Sequence, residues 1–110
     1  MSTPESAPPI ISTLASDPDM VELIQLFVEE IPDRVRTMQD YWQRRDLAEL
    51  KRLAHQLKGS GGGYGFATLG AAAGKLEHTL NNASGPQSNL ETIASQVDEL
   101  VDLCTRVRVS

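Results

Sequence analysis

From Met20 almost to its end, the chain's apolar and small residues recur at steps of three and four. Met20, Ile24, Phe27, Ile31, Val35, Met38 and Trp42 form one such series, and Leu47, Leu50, Ala54, Leu57 and Gly61 a second. Phe66, Leu69, Ala73, Leu76 and Leu80 make a third, and Leu90, Ile93, Val97, Leu100, Cys104 and Val107 a fourth. At about 100° per residue, this spacing lays each series along one stripe of a helix. No stretch alternates as a half-buried strand would. Each stripe must be buried against another, so the chain is expected to be all-α, an antiparallel four-helix bundle. Pro32 breaks into the first series and lacks a backbone donor, which predicts an additional or kinked N-terminal helix. Asp46 stands where the second helix needs an N-cap. The run NNASGPQSN, from Asn81 to Asn89, reads as a turn.

At 110 residues the chain has room for one domain with one modest core. Pro4, Pro8, Pro9 and Pro18 lie among small polar residues, so residues 1–18 are expected to be a tail or linker and 19–110 the bundle. Ile10, Ile11 and Leu14 are apolar enough to pack on the body. The formal charge of −5 argues against a general nucleic-acid binder, which would carry a basic excess. Cys104 is the single cysteine, so no intrachain disulfide can form. MSTPESAPPIIS has neither the basic nor the apolar region of a signal peptide. No run approaches the ~20 apolar residues that span a bilayer. A cytoplasmic location is expected, and no leftover apolar patch calls for a dimer, so a monomer is expected.

The feature that a plain helical bundle does not account for is AHQLKGSGGGYG, Ala54 to Gly65. Five of the seven residues from Gly59 to Gly65 are glycine. Each one inside a helix costs about 1 kcal/mol relative to alanine. On the helical wheel His55 points roughly 140° from the centre of its apolar stripe and should face solvent. Lys51 and Arg52 lie one turn before it, and Lys58 and Gly59 one turn after, with Gly62 a further turn on. The histidine is thus ringed by cations, with almost no side-chain bulk beyond it. A helix that had only to be soluble would carry glutamate, lysine or glutamine at positions 59 and 62.

That surface suits phosphoryl transfer. An imidazole titrates near pH 6.5, so at neutral pH much of it is unprotonated and nucleophilic. The reaction needs in-line approach and neutralisation of the equatorial oxygens, and little other chemistry from the protein. Lys58, on the same side, can reach a phosphoryl group on the ring. The glycines allow another protein's surface to come close.

The stretch AHQLKGSGGGYGFATLGAAAGKLE, Ala54 to Glu77, resembles the signature of histidine-containing phosphotransfer (HPt) domains of two-component phosphorelays. His55, Lys58, Gly59, Gly65, Leu69, Leu76 and Glu77 match that pattern in order and spacing, and FVEEIPDRVRTMQDYWQRRDLAELKRLAH resembles the helices leading into it. The resemblance covers roughly residues 20–80. It implies a four-helix bundle whose exposed histidine accepts a phosphoryl group from the phospho-aspartate of a receiver domain and passes it to another receiver, Nε2 being the usual attacking atom. By this resemblance His55 is the phosphoacceptor, Lys58 steadies the phosphoryl group, and Gly59 leaves room for the receiver. Gly59, Gly62, Lys51, Arg52 and Glu77 are the candidate docking residues. Glu77 matches a glutamate or glutamine position close to the histidine, where a carboxylate could orient the ring but would also repel a phosphoryl group. The departure from the pattern is the glycine run 61–63, where alanine and serine are more usual. Receiver domains are the implied partners, together with a hybrid sensor histidine kinase.

Other chemistries find no support. GSGGGYG does not satisfy G-x-G-x-x-G in any register, and Gly70 to Leu76 falls one residue short of a P-loop and lacks its Ser or Thr. Two histidines and one cysteine, far apart in the chain, do not make a zinc site. No cofactor and no metal are expected, any magnesium belonging to the receiver. Without a nucleotide-binding segment, the chain reads as a covalent carrier and not as an enzyme with its own turnover. A helical interaction module that docks a receiver or kinase without phosphotransfer stays open as the alternative. His78 lacks the company of His55 and reads as a solvated surface residue. The small run Leu69-Gly-Ala-Ala-Ala-Gly, to Gly74, reads as a surface for tight helix packing and carries no chemistry.

Overall fold

A computed structural model describes residues 8–82 and 90–109 of the chain. Four helices carry the fold: α1 (Pro18–Gln43), α2 (Leu47–Gly63), α3 (Ala67–Asn82) and α4 (Leu90–Arg106). Each packs on its neighbour in chain order, and α4 closes back on α1. The result is an all-α four-helix bundle. The expected turn lies mostly outside the described residues, apart from Asn81 and Asn82, which close α3.

The stripes become the core. Ile24, Phe27, Ile31 and Met38 of α1 meet Leu50, Leu53, Ala54 and Leu57 of α2, Leu69, Ala73 and Leu76 of α3, and Ile93, Val97, Leu100 and Cys104 of α4. Met20, Val35, Trp42 and Leu47 are half-buried at the edges. α1 is one continuous helix through Pro32. The proline forfeits only the bond its own N–H would make to the Val28 carbonyl, and apolar residues on both sides hold the helix against the bundle. Of the two outcomes expected at Pro32, a second, separate helix is therefore not what forms.

Aspartates cap the starts of α1 and α2, the second where the sequence suggests. The Asp17 side chain accepts a hydrogen bond from the Asp19 N–H (2.9 Å) to start α1. Asp46 does so from the Glu49 N–H (3.4 Å) to start α2, as expected. α2 ends in a Schellman turn: the Phe66 N–H donates to the Gly61 carbonyl (2.8 Å) and the Gly65 N–H to the Gly62 carbonyl (3.3 Å). Gly65 takes the left-handed conformation, φ 86°, that this turn requires. Phe66 is thereby driven into the core beside Phe27, with ring centroids 5.7 Å apart.

Part of the expected tail is docked on the bundle. Ile10–Ile11 (β1) pairs in parallel with Val107–Arg108 (β2), so Val107 starts a short strand and does not end the last helix. Two residues are too few to show the alternation that betrays a strand in sequence. Beyond β1, Ser12 is buried, its hydroxyl donating to the Tyr64 carbonyl (2.6 Å) and accepting from the Leu14 N–H (3.0 Å). The Thr13 N–H donates to the Gly65 carbonyl (2.9 Å). Residues 10–14 thus form a strap from the end of α4 to the corner between α2 and α3.

Candidate functional site

The site is built on the antiparallel pair α2 and α3. These helices touch almost backbone to backbone: a Cβ at Gly61 would lie 3.0 Å from the Gly70 nitrogen, and one at Gly70 would lie 3.0 Å from the Gly62 nitrogen. Close approach brings the side chains flanking that seam within hydrogen-bond reach across it. His55 of α2 and Glu77 of α3, 22 residues apart in sequence, meet there.

The His55 ring is 67% exposed, and its Nδ1 lies 2.8 Å from Glu77 Oε2. An ionised carboxylate can only accept, so Nδ1 carries the ring's proton and donates it. That fixes the neutral tautomer with the Nε2 lone pair on the opposite edge, facing out of the bundle. Glu77 is only 17% exposed, wedged between two partners: its other oxygen, Oε1, lies 3.7 Å from the Nζ of Lys58. One carboxylate therefore holds the histidine in orientation and draws the lysine to the same spot. Glu77, expected among the docking residues, is in direct contact with the ring.

Lys51 is half-buried and Arg52 exposed, one turn before His55. Arg52 is paired with Glu49 through its Nη2, and that neighbour holds the guanidinium's proton more tightly than usual. Gly59 and Gly62 face outward; a Cβ at either would meet nothing within 4 Å, and the same holds at Gly63. The glycine run therefore divides by cause. Gly61 is required by the seam and Gly65 by the turn, whereas 59, 62 and 63 leave a bare surface beside His55. His78 is exposed and, among the described residues, bonded within its own helix through Asn82.

Two features escape a reading of periodicity. Leu23 and Leu26 are 45% and 56% exposed on α1, and with Phe27, Ser60 and Tyr64 they line a shallow depression beside the glycine surface. Their signal was present: both fall off the stripe of Ile24 and Phe27. Gly74 of α3 lies under the stem of Lys58, and no pattern within α3 could reveal that. Among the described residues, no group of three or more histidine, cysteine or acidic side chains could hold a metal ion. No helix among them is long and apolar enough to cross a membrane.

Residues 22–109 match the family described as Hpt domain, which takes in all four helices save the first turn of α1. No curated protein and no solved structure matches the chain. A match over that much of the chain, on a four-helix bundle, makes the chain a member of the Hpt domain family, the histidine phosphocarriers of two-component phosphorelays.

Proposed function

We propose that this chain carries a phosphoryl group on Nε2 of His55, taking it from the aspartyl phosphate of one receiver domain and giving it to the aspartate of another. The observation that carries the reading is the 2.8 Å contact from Nδ1 to Glu77, on a ring otherwise open to solvent. It leaves Nε2 as the free nucleophile. The Nε2 lone pair attacks phosphorus in line; the P–N bond forms as the bond from phosphorus to the aspartyl oxygen breaks, and the carboxylate leaves with that electron pair. Nδ1 keeps its proton throughout, so the phosphorylated ring is cationic and lies against the Glu77 carboxylate. Glu77 sits on the edge of the ring away from the phosphoryl group, which limits the repulsion expected of a carboxylate there. Lys58 leaves Glu77 for the phosphoryl oxygens by rotating the outer bonds of its side chain.

The receiver approaches over Gly59, Gly62 and Gly63, with Leu23 and Leu26 at the margin and Lys51 and Arg52 facing its acidic pocket. The protein acts in the cytoplasm as a carrier, without turnover of its own. The test is transfer from phosphorylated receiver domains, followed by intact mass, comparing the wild type with His55→Gln. One acid-labile, alkali-stable phosphoryl group on the wild type alone is expected. Equal labelling of both proteins would move the acceptor elsewhere. Binding of a receiver without transfer would make the chain a docking module.

A further inference from the structure

Neither backbone conformation nor helix-to-helix backbone contact accounts for Gly74. It sits inside α3, where glycine costs about 1 kcal/mol relative to alanine. Its φ is not in the positive region that would require glycine. It is also not at a close approach of backbones: the three heavy atoms nearest to a Cβ built there all belong to one side chain, Lys58 Cδ at 3.3 Å, Cγ at 3.6 Å and Cε at 3.7 Å. At Gly61 and Gly70, in contrast, the nearest atoms are backbone. What the missing side chain makes room for is the lysine stem. Gly74 lies one turn before Glu77 on the same face of α3, so a stem laid across it ends at the carboxylate, where Nζ is found 3.7 Å from Oε1.

We propose that Gly74 is a positioning residue: it is the seat that directs Lys58 across α3 to the His55–Glu77 pair. The proposal rests on the reading of Lys58 as the group that neutralises the transferred phosphoryl. A lysine on an exposed helix face ordinarily samples many rotamers, and holding its charge at one place costs side-chain entropy. The seat confines the stem beforehand and leaves only the outer bonds to turn. A Cβ at position 74 crowds the stem at Lys58 Cδ, and a long side chain there competes with the lysine for the same groove.

Gly74→Gln is the variant of choice, because glutamine is a good helix former and its Cβ displaces only the lysine. The rate of phosphoryl acceptance from a phosphorylated receiver domain is measured for the wild type, Gly74→Gln, Lys58→Ala and the double variant. Gly74→Gln is expected to slow acceptance about three- to tenfold, the range for one charge-assisted contact at a partly exposed site. In the Lys58→Ala background it should change nothing. An unchanged rate for the single variant, or the same loss in both backgrounds, would overturn the proposal. NMR supplies a readout independent of transfer: cross-peaks from the Lys58 Hδ and Hε protons to the Gly74 Hα protons are expected in the wild-type protein, and their absence would overturn the seat. If the cross-peaks are present but no receiver labels His55, the carrier reading fails while the seat stands.

Discussion

Two neighbouring glycines of α2 should respond to alanine with opposite signs. In a helix interior the exchange ordinarily stabilises by about 1 kcal/mol, from backbone entropy. At Gly62 a new Cβ meets nothing within 4 Å, so most of that gain should appear, about 0.5–1 kcal/mol. At Gly61 the Cβ would lie 3.0 Å from Gly70 N and 3.2 Å from Gly70 Cα. Both are backbone atoms of a packed helix and cannot swing aside, so α2 and α3 must part by a few tenths of an ångström along their whole contact. Overpacking of this kind costs about 1–3 kcal/mol. Set against the propensity gain, Gly61→Ala should destabilise by about 1 kcal/mol. For a domain of this size each kcal/mol moves the midpoint by about 4 °C, which puts the two variants roughly 6–8 °C apart on either side of the wild type. Thermal unfolding followed by circular dichroism, with denaturant titration as a check on the slope, measures both. A similar rise in both midpoints would refute the reasoning, because it would mean that Gly61 is not in a backbone seam with Gly70.

Gly65→Ala should be more damaging, about 2–4 kcal/mol. It forces a left-handed φ on alanine and drives a Cβ into the Ser12 hydroxyl and to 3.0 Å from the Leu14 and Thr13 nitrogens; amide hydrogen exchange should show residues 12–14 losing protection first. Cys104 is buried, and burial pushes its thiol up from 9.0 to about 12. The folded state therefore binds the thiol proton more tightly than the unfolded chain, so stability is intact below pH 9.0 and falls as the pH rises toward about 12, by up to about 1.4 kcal/mol per pH unit. Urea titrations at pH 8 and pH 11 on the wild type and Cys104→Ala test this: the variant should lose less on going to pH 11, and an equal loss would exclude the thiol as the cause.

The helices were legible because burial imposes a period. Ile24, Phe27, Leu50, Leu57, Leu76, Ile93 and Leu100 stand at steps that only a helix with one buried face explains, and each is in the core. The exposure of His55 followed from the same wheel. Of the strap, the packing of Ile10 and Leu14 was legible in their apolarity, though Ile11 stays exposed; its path was not, because its order comes from single hydrogen bonds to the α2–α3 corner and a two-residue ladder with the end of α4. Neither leaves a repeat in the sequence.

The glycine run shows where local and tertiary information part. Its composition alone marked the stretch beside His55 as more than a helix. Which glycine serves which purpose was decided by the packing of α3 on α2: Gly61 by the seam, Gly65 by the turn, and 59, 62 and 63 by the open space that, among the described residues, lies where their side chains would be. Glu77 is the sharpest instance. Its place near the histidine could be anticipated, but whether its carboxylate would orient the ring or oppose the phosphoryl group depended on which ring nitrogen it faced. Periodicity determines the face on which a side chain emerges. The distance between atoms on two different helices is set by how closely their backbones approach, and only the folded seam between α2 and α3 supplies that.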